Sequence, residues 1–159
     1  MSEPSGDATR VAKRVLVVED NELNLKLFCD LLRAHGYDTE PVRDGREAVT
    51  RARGFLPDLI ITDIQLPHMT GLELIQMLKA DARLRTVPIM AVTAYSGRDD
   101  EDRVRAAGAN SYVTKPISVV RFVGEVRALL PVEEVRRPPD DPAGRDPDVD
   151  EPPFPSPRT

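Results

Sequence analysis

The sequence has a single cysteine, Cys29, which excludes an internal disulfide and any multi-cysteine metal centre. Cys29 falls within a helical pattern and reads as a small core residue rather than a nucleophile. No apolar run reaches the roughly 20 residues needed to span a membrane. The first ten residues carry Glu3 and Asp7 and lack the apolar stretch of a secretory signal. The expected location is the cytoplasm, without membrane insertion. Surplus positive charge is also missing. Net charge is −5 over 159 residues, with none of the basic footprint of a nucleic-acid binder. Lysine is scarce, at 4 against 18 arginines, which singles out Lys115.

What is present is a core-forming hydrophobic fraction of 40%, arranged as short apolar runs between helical patterns. Strands are expected at 14–18, 38–42, 58–62, 88–92 and 110–114. Helices are expected at 22–35, 45–53, 71–80, 98–107 and 118–130. Leu23, Leu27 and Leu31, with Leu25, Phe28 and Leu32, set the helical spacing of the first helix, which stops at Gly36. Asp99, Asp100, Glu101 and Asp102 suit the positive end of the fourth helix. Strict alternation of strand and helix implies an α/β fold, a parallel sheet covered on both faces. Residues 1–12 read as a flexible arm and 13–130 as one domain. Residues 131–159 hold nine prolines, eight acids and four arginines, too little apolar surface to offset ordering, and read as a disordered tail.

Polar residues follow three of the apolar runs. Glu19-Asp20 follows Val15-Leu16-Val17-Val18, Asp63 follows Leu59-Ile60-Ile61-Thr62, and Lys115-Pro116 follows Ser111-Tyr112-Val113-Thr114. Parallel strands bring such residues together at their carboxyl edge, where open α/β sheets place ligands. Three carboxylates and one ammonium in one crevice suggest a divalent metal and a phosphoryl group. Asp20-Asn21 also suits a helix N-cap, and both readings can hold together.

The runs Val17-Val18-Glu19-Asp20-Asn21, Asp63-Ile64-Gln65-Leu66-Pro67, Ala91-Val92-Thr93-Ala94 and Lys115-Pro116 resemble the receiver domain of two-component response regulators. The resemblance covers about residues 13–130 and implies a doubly wound, flavodoxin-like five-stranded parallel sheet in the order 2-1-3-4-5. It implies Asp63 as the phosphoryl acceptor and Mg²⁺ as the cofactor. Asp20 and Asp63 would bind the ion directly, Gln65 through its backbone carbonyl, and Glu19 through water. Many receivers carry Asp where this chain has Glu19; the longer side chain keeps the charge and alters the reach. Lys115 would contact the phosphoryl oxygens, and its bond to Pro116 would be cis. Thr93 and Tyr112 would be the switch residues. Sensor histidine kinases or a phosphotransfer protein would be the donors. The face of the fourth helix, fifth strand and fifth helix would meet a downstream protein. The tail is too short and polar for an output domain. The longer runs Glu19-Asp20-Asn21-Glu22-Leu23-Asn24-Leu25-Lys26-Leu27-Phe28, Asp63-Ile64-Gln65-Leu66-Pro67 and Lys115-Pro116-Ile117-Ser118-Val119-Val120 are similar to single-domain members that act in cell division, which implies a role in cell-cycle control or polarity.

Three other readings compete. A phosphatase of the haloacid-dehalogenase type needs an acid two residues after the nucleophile, and Gln65 cannot donate a proton in that role. Beyond metal-dependent phosphorylation and dephosphorylation of its own Asp63, enzymatic activity is therefore not expected. A flavin module would meet repulsion from Glu19-Asp20-Asn21-Glu22 at its phosphate. A phosphorylation-independent binding module remains the alternative. His35, at a helix end, and His68, in a loop, read as structural or surface residues.

Overall fold

Alternation along each strand decides which face a side chain takes, and here both faces are apolar. The computed structural model describes residues 12–94 and 97–130. The expected arm, apart from Ala12, and the expected disordered tail lie outside the described residues. The elements run β1 (Arg14–Val18), α1 (Glu22–Ala34), β2 (Asp38–Val42), α2 (Gly45–Phe55), β3 (Leu59–Asp63), α3 (Gly71–Ala80), β4 (Ile89–Thr93), α4 (Arg98–Ala107), β5 (Ser111–Thr114) and α5 (Val119–Leu129). The strands form one parallel sheet in the order β2-β1-β3-β4-β5, as the resemblance implied.

Val15, Val17, Leu59, Ile61, Met90, Val92 and Val113 pack with α1 and α5. On that side Phe28 stacks on Phe122, with ring centroids 5.2 Å apart and planes at 20°. Leu16, Val18, Ile60, Ile89, Ala91 and Tyr112 pack on the opposite face with Ala48, Leu74, Ile75, Leu78 and Val104 of α2, α3 and α4. Strands buried on both faces are continuously hydrophobic for this reason. Cys29 is buried in the α1/α5 cluster, and burial pushes its thiol up.

Element ends depart from the sequence reading in one instructive place. The second helix was expected to stop at residue 53, before Gly54. Instead it continues to Phe55 and stops at Leu56, which takes the left-handed conformation (φ 54°). Glycine weakens a helix interior without ending it. Elsewhere caps set the ends. Asn21 accepts from the Asn24 amide at 2.9 Å, Ser118 accepts from that of Arg121 at 3.3 Å, and Thr70 and Glu73 form a reciprocal capping box at α3.

Candidate functional site

The register places the ends of the strands on one edge. Val18 pairs with Thr62, Asp63 with Val92, and Thr93 with Thr114. Glu19 therefore leaves the sheet one residue after β1, Asp63 is the last residue of β3, Thr93 is the last of β4, and Lys115 follows β5. Backbone bonds from Glu19 N to Val42 O (3.0 Å) and from Lys115 N to Thr93 O (2.7 Å) extend the ladders to the crevice. The Lys115–Pro116 bond is cis. Asn21 makes the helix cap itself, and Asp20 stands instead with the acidic group.

That group is close, and two of its three acids are buried. Ligand-capable oxygens of Glu19, Asp20 and Asp63 all lie within 4.8 Å of one another. Glu19 and Asp63 are 1% and 2% exposed. The Lys115 ammonium donates to Asp63 Oδ2 at 2.7 Å. It also lies 3.3 Å from Glu19 Oε1, near enough for charge attraction. Among the described residues this buried oxygen has no hydrogen-bond partner. Glu19 Oε2 accepts from the Asn21 amide at 3.0 Å.

Crowding without enough compensation has a measurable consequence. Burial, reinforced by the neighbouring Asp63 charge, raises the Glu19 carboxyl from 4.5 to about 7 against the pull of Asn21 and Lys115. The shift opposes the charge that the longer acid brings to the crevice. For Lys115, burial pulls the ammonium down, but the Asp63 bond and the charges of Asp63 and Glu19 outweigh it and the net shift is upward.

Gln65 does more than the sequence suggested. Its backbone N–H donates to Asp63 Oδ1 at 3.0 Å. Its side-chain Nε2 donates to Thr93 Oγ1 at 3.1 Å, and its Oε1 accepts from the Ala94 amide at 3.2 Å. Thr93 is buried at the end of β4. Tyr112 is also buried, packed on the α4 side of the sheet, where burial, then the charges of Asp100 and Glu101, raise its hydroxyl. His35 is the C-cap of α1, its Nδ1 2.9 Å from Leu31 O, and His68 is an exposed loop residue at φ 69°. Neither histidine is among the acids brought together here.

The donor set fits a hard divalent cation. All three acids offer oxygen, Mg²⁺ and Ca²⁺ prefer oxygen ligands, and among the described residues a buried Glu19 oxygen lacks a hydrogen-bond partner. A cation would offset both the burial and the Asp63 charge that push the Glu19 carboxyl up.

A two-faced parallel sheet with three acids and a lysine at its carboxyl edge defines a receiver. The sequence matches the response regulator receiver domain over residues 15–127, and the chain belongs to that family. It is 50% identical over 120 residues to the polar-differentiation response regulator DivK of Brucella ovis, across 76% of this chain and 98% of that protein. DivK of Brucella anthropi is 51% identical over 118 residues, across 74% and 96%. Among solved structures, the chemotaxis response regulator CheY4 of Vibrio cholerae matches with a TM-score of 0.72 at 27% identity, over 76% of this chain and 100% of that one. The receiver domain of the Pseudomonas aeruginosa sensor histidine kinase PA1611, solved with a magnesium ion coordinated in its active-site cleft, gives a TM-score of 0.69 at 31% identity, over 75% and 98%.

Proposed function

We propose that this receiver accepts a phosphoryl group onto Asp63 from the phosphohistidine of a sensor kinase or phosphotransfer protein. The observation that carries the reading is a buried Asp63 carboxylate held 2.7 Å from the Lys115 ammonium, inside a cluster of acids. In the transfer, the partner's N–P bond breaks as a carboxylate oxygen of Asp63 bonds to phosphorus. The imidazole leaves with the electron pair. Lys115 balances charge on the phosphoryl oxygens.

Asp20 and Asp63 would hold Mg²⁺ directly, with the Gln65 carbonyl, and Glu19 through water. When bound, the ion neutralises charge on the phosphoryl oxygens. The magnesium in the Pseudomonas receiver supports this assignment. The Thr93 hydroxyl then turns to the modified Asp63, Tyr112 responds, and the face of α4, β5 and α5 presents the altered surface to a downstream protein.

Exposed Leu23 and Leu27 on α1, with Val119 and Val120 at the start of α5, support docking of a protein donor beside Asp20 and Lys115. The likeness to the polar-differentiation regulators supports a role in cell division or polarity, exercised in the cytoplasm by protein contact. The segments read as arm and tail, 1–12 and 131–159, are assigned no part in the chemistry.

The test is transfer from a histidine kinase pre-labelled with ³²P. Wild type takes up label in Mg²⁺ and not in excess chelator, and Asp63→Asn takes up none. Equal labelling of Asp63→Asn would overturn the assignment.

A further inference from the structure

Gln65 bonds both to the acceptor carboxylate and to the end of β4 that the switch moves toward it. Its amide N–H holds one oxygen of the acceptor carboxylate, and its carboxamide closes on the end of β4 at two points. The orientation of the carboxamide is fixed by chemistry. The Ala94 N–H can only donate, so it must face Oε1, and the Thr93 hydroxyl can accept from the remaining NH₂. Rotating the group by half a turn would set two donors against each other.

We propose that the Gln65 side chain is a latch that holds β4 in its unphosphorylated arrangement and opposes the switch. The proposal rests on Asp63 being the acceptor. While the latch is closed, the Ala94 N–H is engaged by Oε1 and the Thr93 hydroxyl is tied to Nε2. A phosphoryl group on Asp63 offers charged oxygens, which outcompete the neutral carboxamide oxygen for the Ala94 N–H. Movement of the Thr93 hydroxyl away from Nε2 breaks its bond from Gln65. Gln65 is therefore a positioning residue that sets the population of the switched state before any phosphoryl group arrives. Ala94 is exposed and Gln65 partly buried, so water can replace the carboxamide and its loss leaves no buried donor unpaired.

The test uses the full chain and Gln65→Met, which keeps length and apolar bulk but forms neither bond. The first readout is amide hydrogen exchange at Ala94 without phosphodonor. Exchange should be about tenfold faster in Gln65→Met, the effect of one lost hydrogen bond of ordinary strength, with the core amides of β1 and β3 unchanged. The second is the initial rate of Asp63 labelling by acetyl phosphate in Mg²⁺, expected to rise severalfold because the competent state is more populated. Faster exchange with an unchanged or slower labelling rate would overturn the latch, as would unchanged exchange. A wild-type protein that takes no label from acetyl phosphate or from a phosphorylated kinase would overturn the acceptor assignment beneath it, a result distinct from either.

Discussion

Glu19 is the residue at which this site departs most from simple charge counting. Its carboxyl is raised from 4.5 to about 7, so the folded chain keeps a proton that the unfolded chain releases near its ordinary value. The associated stability is fully present below about pH 4.5 and is lost as pH rises through about 7. The difference in Tm between metal-free wild type and Glu19→Gln should shift in favour of the Gln variant across that window. Mg²⁺, which takes the ionised acid, should raise the wild-type Tm most at and above pH 7. A pH-independent difference between the two proteins would contradict the burial of an uncompensated carboxyl. Lys115 presents the converse case, since it is held charged by Asp63. Lys115→Met should slow labelling of Asp63 on the order of 10²-fold, the scale of losing one well-placed electrostatic group, measured as an initial rate with saturating Mg²⁺.

Not all of this was legible in the chain. Asp63, Lys115 and the Glu19-Asp20 pair announce themselves because each breaks an apolar run at its end. The Gln65 latch does not, because its partners lie 28 and 29 residues away and meet it only through the pairing of β3 with β4. The protonation of Glu19 depends on how completely the crevice closes over it, which residue type alone does not give.

At the scale of elements, the loop from β3 to α3 fixes where Asp63 sits. The Gly71 amide donates to Ile64 O at 2.9 Å. A β-carbon at Gly71 would collide with the Asp63 carbonyl oxygen and lie 2.6 Å from Ile64 Cα. Both are backbone and cannot rotate away. Gly71→Ala should cost about 1–3 kcal/mol, the usual range for forced overpacking, and should slow labelling by shifting the backbone of Asp63. Gly54, inside α2, has nothing within 4 Å of its would-be β-carbon, and Gly54→Ala should add about 0.5–1 kcal/mol by removing unfolded-chain entropy. Urea midpoints for the two variants should move in opposite directions. A stabilised Gly71→Ala would show that the loop yields freely. Gly54 also explains the misplaced end of α2. A helix that runs on through Gly54 and Phe55 to a left-handed Leu56 leaves no sequence signal, because leucine seldom adopts that conformation.

At the largest scale, the described residues form a sheet with two apolar faces and one polar edge. The alternating runs made the fold class readable, since only covered parallel strands are apolar on both sides. The order of strands was not readable from pattern, because each β-α unit looks alike; it came through the resemblance and the sheet bears it out. Every strand that borders the crevice contributes to it at its end, so a modification at Asp63 touches β3, β4 and β5 through Gln65, Thr93 and Lys115. On the function proposed above, this is the route by which a charge at Asp63 would reach Tyr112 and the α4–β5–α5 face.

The central claim is that Asp63 forms the acyl phosphate. Borohydride reduction of the phosphorylated chain, followed by peptide mass spectrometry, tests it most directly, because an aspartyl phosphate is reduced to homoserine at its own position. The account predicts homoserine at residue 63 and at no other acid. Homoserine at Asp20, or none at residue 63 in a sample whose intact mass carries a phosphoryl group, would contradict it.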